Sequence, residues 1–255
     1  MKIFIYDKFW DAFVKINRTT QNKVTDFMSK FRENSKSAAL NLESINTFKD
    51  KSLRTARIDQ KYRVVLKEVI ASEEYLLLWI DNHDEAMDWA KNKMINWNEN
   101  TQAYQVFKLD DAVVEPDPII QHEQLFMAQY GKVQLLEIGV PEVLIPSVLG
   151  VNKFEDLEKL EDYLPLDVFE NLFYLLDGAN YDVLLTEIRE GLSSSDKENS
   201  KNNSRSFIEL TDDEILNEAI TGCLNKWKYY LHPSQAKIVN SNFNGPVKVS
   251  GAGGT

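Results

Sequence analysis

The sequence predicts an α+β chain, and three observations predict it. Apolar residues recur at helical spacing over 7–31. The period then changes to short β-branched and aromatic runs over 53–80. From 121 to 192 it is helical again. With 255 residues and 43% hydrophobic content, the chain can bury real cores and suggests one or two domains.

The first unit is expected over 1–95. Phe9, Trp10, Phe13 and Ile16 form one apolar stripe, and Val24, Phe27, Met28 and Phe31 form the next. Arg18-Thr19-Thr20-Gln21 interrupts them, so the spacing predicts a helical hairpin. Runs over 53–58, 62–69 and 75–80, separated by Asp59-Gln60-Lys61 and Ala71-Ser72-Glu73-Glu74, predict an antiparallel three-stranded meander. A short helix is expected over 84–92 and one further strand over 104–109.

Residues 96–120 are expected to connect, through a hairpin and an acidic loop. Asp110, Asp111, Glu115 and Asp117 cluster there around Pro116 and Pro118 and are read as solvated rather than as a metal site. An all-α module follows over 121–192, punctuated by Gly139-Val140-Pro141, Pro165 and Gly178. Residues 193–206 contain no apolar side chain and are expected to be a flexible linker. Beyond it, Thr211-Asp212-Asp213-Glu214 is a capping box that predicts a helix to about 230, and Pro233 suits the first turn of another.

The net charge of -11 and pI of about 4.9 exclude binding through a broad basic surface, so any nucleic-acid contact must be local. Cys223 stands alone and allows no disulfide within the chain. His83, His122 and His232 are scattered singly, so no zinc spacing exists and no metal site is expected. The amino terminus lacks the pattern of a leader peptide, and no segment approaches the apolar length of a membrane span. The expected setting is the cytoplasm, with no membrane partner.

The end of the sequence carries the strongest signal. Val247-Lys248-Val249 reads as a strand and runs into Gly251-Ala252-Gly253-Gly254-Thr255. Those are the first five positions of a phosphate-binding loop, G-x-x-x-x-G-K-[ST]. Glycines there let backbone N–H groups approach phosphates, and a following helix adds its positive end. The next three positions would be Gly, Lys and Ser or Thr.

Leu231-His232-Pro233-Ser234-Gln235, Ile238-Val239 and the run from Phe243 to Gly251 resemble the opening of UvrD-like superfamily 1 helicases. The resemblance implies that 207–255 begins a P-loop (RecA-like) α/β ATP-binding domain, seen as a helix–helix–strand segment. It implies that Gln235 reads adenine and that Gly251, Ala252, Gly253, Gly254 and Thr255 contribute to nucleotide binding. His232 stands where Asn is commonest in that family. The whole protein is then an ATP-dependent DNA helicase that uses ATP and Mg2+. The metal-holding carboxylate and most of the DNA surface would lie downstream. Without the loop's Lys and Ser/Thr, this chain alone is expected neither to hydrolyse ATP nor to bind it well.

Leu53-Arg54-Thr55-Ala56-Arg57-Ile58, Tyr62-Arg63-Val64-Val65-Leu66, the strand at 75–80 and the following His83 resemble the RelE/ParE toxin superfamily. Members that cut RNA need a base, arginines that stabilise the transition state and an acid for the leaving oxygen. The resemblance implies Arg63 and Arg54 as the arginines, Glu43 as the base and His83 as the acid. Ala56 replaces a second basic residue, and Asp84 stands where an aromatic is expected. Two readings of this unit stay open: a ribonuclease, and a docking domain for a protein partner such as a small antitoxin. Leu135-Leu136-Glu137-Ile138-Gly139-Val140-Pro141 and Tyr163-Leu164-Pro165 resemble a helical spacer found in related helicases.

Overall fold

The computed structural model describes residues 2–33, 42–69, 74–109, 125–192 and 202–210. Within them the protein is a mixed α+β structure built on an antiparallel-rich sheet.

Strand β1 (Lys2–Tyr6) leads into α1 (Asp7–Phe13) and α2 (Arg18–Glu33). The expected break at 18–21 is instead the first turn of α2. The Asn17 side chain caps that turn, accepting from the backbone N–H of Thr20 at 3.0 Å. Strands β2 (Leu42–Ser44), β3 (Leu53–Arg57), β4 (Tyr62–Val69) and β5 (Glu74–Asn82) then form an antiparallel set. Helix α3 (His83–Lys91) follows, capped by Asn82, whose Oδ1 accepts from Glu85 N–H at 3.3 Å.

The meander is larger than its expected three strands. β1 lies parallel to β5 on the far side of the meander, with Ile3 opposite Tyr75 and Ile5 opposite Leu77. A short strand β8 (Phe207–Glu209) pairs antiparallel with β1, giving the order β2-β3-β4-β5-β1-β8. β1 is buried on both faces. Ile3 and Ile5 meet the α1–α2 core with Phe9, Phe13, Val24 and Phe31. Phe4 and Tyr6 meet the opposite core with Leu76, Leu78, Ala86, Ala90 and Phe207.

Strands β6 (Lys93–Asn98) and β7 (Ala103–Lys108) form a separate hairpin. It packs on the α3 side of the sheet through Ile95, Tyr104 and Val106. The hairpin thus packs against this sheet with residues on both sides of the expected boundary at 95.

The helical module comprises α4 (Lys132–Glu137), α5 (Ile145–Leu149), α6 (Phe154–Glu158), α7 (Leu166–Leu176) and α8 (Tyr181–Glu190). Gly139, at a φ of +98°, turns the chain after α4, a conformation that disfavours a side chain. The module's core of Leu135, Ile138, Leu144, Val168, Leu172 and Leu184 also takes in Phe107 from the hairpin.

Of the expected linker over 193–206, only its end lies within the described residues. Residues 202–206 are packed, and Asn202, Asn203, Arg205 and Ser206 are buried. The Asn202 amide donates to the carbonyls of Thr101 at 2.9 Å and Ile188 at 2.8 Å. Asn203 Oδ1 accepts from Tyr104 N–H at 2.9 Å. A segment without apolar residues packs here because its amides satisfy buried backbone groups. Likewise, the start of the expected 207–255 unit is part of the first sheet: β8 pairs with β1, and Leu210 N–H donates to Ile3 O at 2.7 Å.

Candidate functional site

Side chains alternate between the two faces of a strand, so register decides which of the four toxin-like residues can meet. Arg63 pairs with Arg57 on β3 and with Asp81 on β5. Its neighbour Val65 lies in the α3-side core, which places Arg63, Arg57 and Asp81 in one row on that face. Glu43 pairs with Thr55 in the adjoining row of the same face, and its carboxylate lies 3.8 Å from the Arg57 guanidinium.

Arg54 pairs with Leu66 and follows Ala56 on the α1–α2 face. Its Nη1 donates to the carbonyls of Lys51 and Leu53, each at 2.8 Å. Arg54 and Arg63 are thus divided by the sheet. His83 begins α3 at the same end of the sheet as Arg63, its backbone N–H donating to Lys61 O at 2.7 Å. Its imidazole is exposed and makes no hydrogen bond among the described residues. Asn82, not His83, caps the helix.

The unusual member is Arg63. It is 5% exposed, and its Nη1 donates to the carbonyls of Asp59 at 2.8 Å and Tyr62 at 3.0 Å. No carboxylate pairs with it among the described residues. Its Nε is buried without a hydrogen-bond partner, as is Thr55 Oγ1 on the same face. A buried cation without a counter-charge is costly, and the chemistry that would relieve it is an anion. The adjacent turn is held by Asp59, whose carboxylate accepts from Lys61 N–H, Tyr62 N–H and Lys23 Nζ. Burial opposes ionisation of Asp59, but these hydrogen bonds, led by Lys23, outweigh it and hold the carboxyl below its usual range.

Sequence reasoning missed Arg57 and Asp81 as partners of this row. Alternation along β3 and β5 hinted at them, but only the register brings them together.

A second concentration of buried polar groups lies where the hairpin, α7 and residues 202–206 meet. Gln105 Nε2 donates to Gly139 O at 2.9 Å and to Asp167 Oδ2 at 3.1 Å. Burial raises the Asp167 pKa, against the opposing charge of Arg205 and the Gln105 hydrogen bond. Arg205 itself pairs with Glu170. These groups tie the helical module to the hairpin and to residues 202–206.

Gln235, Gly251, Ala252, Gly253, Gly254 and Thr255 lie outside the described residues, as does Cys223. Among the described residues, no three His, Cys, Asp or Glu side chains gather as metal ligands, and no helix is long and apolar enough to cross a membrane.

No protein-family model matches the chain, and no curated protein or solved structure matches it.

Proposed function

We propose that this chain is the front end of a UvrD-like, ATP-dependent DNA helicase that carries a RelE/ParE-like domain at its amino terminus. One observation carries the reading: Gln235, the strand-like Val247-Lys248-Val249 and the glycines from Gly251 follow one another at the spacing of an adenine-reading motif and a phosphate-binding loop. ATP and Mg2+ belong to the whole protein. Within this chain, Gln235 would hold the adenine edge and the backbone of 251–255 would cradle phosphates. DNA is the substrate of the whole protein, reached mainly through downstream parts.

The fold is compatible with this order of parts. β8, just before residue 211, pairs with β1 in the amino-terminal sheet. The experiment is DNA-stimulated ATP hydrolysis by the full-length protein, with and without Gln235→Ala. The expected result is hydrolysis stimulated by single-stranded DNA, with KM for ATP raised about tenfold in the variant, the worth of about 1.4 kcal/mol of lost hydrogen bonding. Absence of ATPase activity in the full-length protein would overturn the reading.

In this proposal the toxin-like unit binds a protein partner rather than cutting RNA. The separation of Arg54 from Arg63 and the exposed, unpartnered His83 support that choice. One observation favours the ribonuclease alternative: among the described residues Arg63 is a buried guanidinium without a carboxylate, as a phosphate-stabilising arginine would be. Incubating the intact chain with single-stranded RNA decides between them. No cleavage is expected, and cleavage abolished by Arg63→Met would establish the nuclease.

A further inference from the structure

Lys93 and Lys108 are cross-strand partners at the open end of the β6–β7 hairpin. Like charges directly opposite one another weaken strand pairing. Neither ammonium group has a carboxylate in ion-pair reach among the described residues. Lys93 Nζ instead lies 5.7 Å from the ring centroid of Trp89 and 3.4 Å from the backbone carbonyl of Asp162. Lys108 Nζ lies 4.8 Å from the ring centroid of Tyr163. Lys8, on α1, is a third cation near enough to act on Lys93, and it also acts on its neighbour Asp7.

Several other described lysines behave differently. Lys23, Lys67, Lys132 and Lys159 each reach a carboxylate. In a chain of net charge -11, carboxylates are not scarce. Lys93 and Lys108, adjacent in register and each over an aromatic ring, nevertheless have none in ion-pair reach among the described residues. Burial, then Lys8 and Lys108, pull the Lys93 pKa down to about 8, while Asp162 acts in the opposite direction. A bound anion would relieve that repulsion.

The aromatic rings hold the lysines and do not offer a platform to a base. Trp89 stacks on Trp79 at 5.3 Å with planes 6° apart, and Lys93 lies over the same indole. The Tyr163 ring carries Lys108. What remains is a set of point charges, which reads phosphate and not sequence.

We propose that Lys8, Lys93 and Lys108 form a contact for the phosphate backbone of a nucleic-acid strand, at the seam between the sheet unit and the helical module. The choice of nucleic acid over another phosphate compound rests on the helicase reading; the anion site itself does not. Through it, the amino-terminal part would hold a strand that the motor moves.

The test uses the intact chain and a fluorescent oligothymidylate, with anisotropy measured across a salt series. Binding at low salt is expected, with log K falling against log salt at a slope of about -2, as for three contacts on a single strand. Lys93→Gln with Lys108→Gln should weaken binding at least about tenfold and reduce the slope magnitude by about 1.4. Lys132→Gln with Lys159→Gln, which removes equal charge elsewhere, should change affinity less than about twofold. Circular dichroism confirms that each variant is folded. No binding at low salt overturns the proposal, and so does an equal loss in both double variants. Displacement by inorganic phosphate, at an ionic strength where chloride displaces nothing, would assign the lysines to a free phosphate compound and also overturn it. ATPase activity of the full-length protein is a separate readout, so this contact can fail while the motor reading stands.

Discussion

Arg54 and Arg63 sit on neighbouring strands and on opposite faces of one sheet. Arg54 shares its face with Leu66 and the α1–α2 core, and Arg63 shares its face with Asp81 and the α3-side core. Two arginines divided by a sheet cannot close on one phosphate. Arg63 must act alone or with Arg57, its partner in register.

Arg63 also stands out energetically, because its buried guanidinium has no carboxylate partner among the described residues. Replacing a buried charge by an apolar chain of similar length is often neutral or stabilising. Arg63→Met should therefore leave stability unchanged or raise it by up to about 2 kcal/mol in urea denaturation. A loss above about 3 kcal/mol would show that the guanidinium holds the β3–β4 turn.

Asp50 joins three elements. Its carboxylate accepts from Ser52 N–H and Oγ, from Lys67 Nζ at 3.0 Å and from Ile95 N–H at 3.2 Å. Asp50→Ala should cost about 3 kcal/mol, because Lys67 is left buried with its charge uncompensated. Burial raises the Asp50 pKa, but bonds from Ser52 and Lys67 prevail and lower it overall. Its contribution is therefore present above the unfolded carboxylate pKa and lost as pH falls through the lower folded value. Acid titration of the wild type and of Asp50→Ala, followed by tryptophan fluorescence, checks this: the difference between them should shrink at low pH.

Asp167 has the opposite sign. Burial raises its folded pKa, so the folded state binds the proton more tightly than the unfolded chain. Its contribution to stability is present below the unfolded pKa and lost as pH rises through the folded value. Asp167→Asn retains an acceptor for Gln105 and removes the charge. It should stabilise the protein at neutral pH by roughly 1 kcal/mol, as read from the midpoint of urea unfolding, and flatten the pH dependence.

The 202–206 segment can be dislodged from either side. A Cβ on Gly191 would lie 2.0 Å from Asn202 Oδ1, so Gly191→Ala must displace the Asn202 amide. Asn202→Ala removes its two bonds to buried carbonyls. Each change should cost about 2 kcal/mol, and the double variant little more than either alone, since both break the same contact. Additive losses in thermal unfolding would contradict that.

Local periodicity made α2, the β3–β5 meander, α3 and the helical module legible, because each buries one face against neighbours close in sequence. Pro165 and Gly178 bracket α7 as their chemistry suggests. β1 was not legible. Lys2 to Tyr6 shows no alternation, since both its faces are buried, and its partner Leu77 lies far along the chain. Residues 202–206 read as linker because their Asn side chains show donors and acceptors, but not that Thr101, Tyr104 and Ile188 will supply the partners. Of the candidate site, residue identities were readable, but the faces were not. Whether Arg54 and Arg63 meet depends on register, and a slip of one residue would reverse it.

Reading the coding sequence beyond Thr255 tests the helicase assignment most directly. A codon for Gly, then Lys, then Ser or Thr, followed by a long open frame, is the predicted result and completes the phosphate-binding loop begun at Gly251. A stop codon, or any residue other than Lys at the second of those positions, would contradict it and return the question of function to the row of Arg57, Arg63 and Asp81.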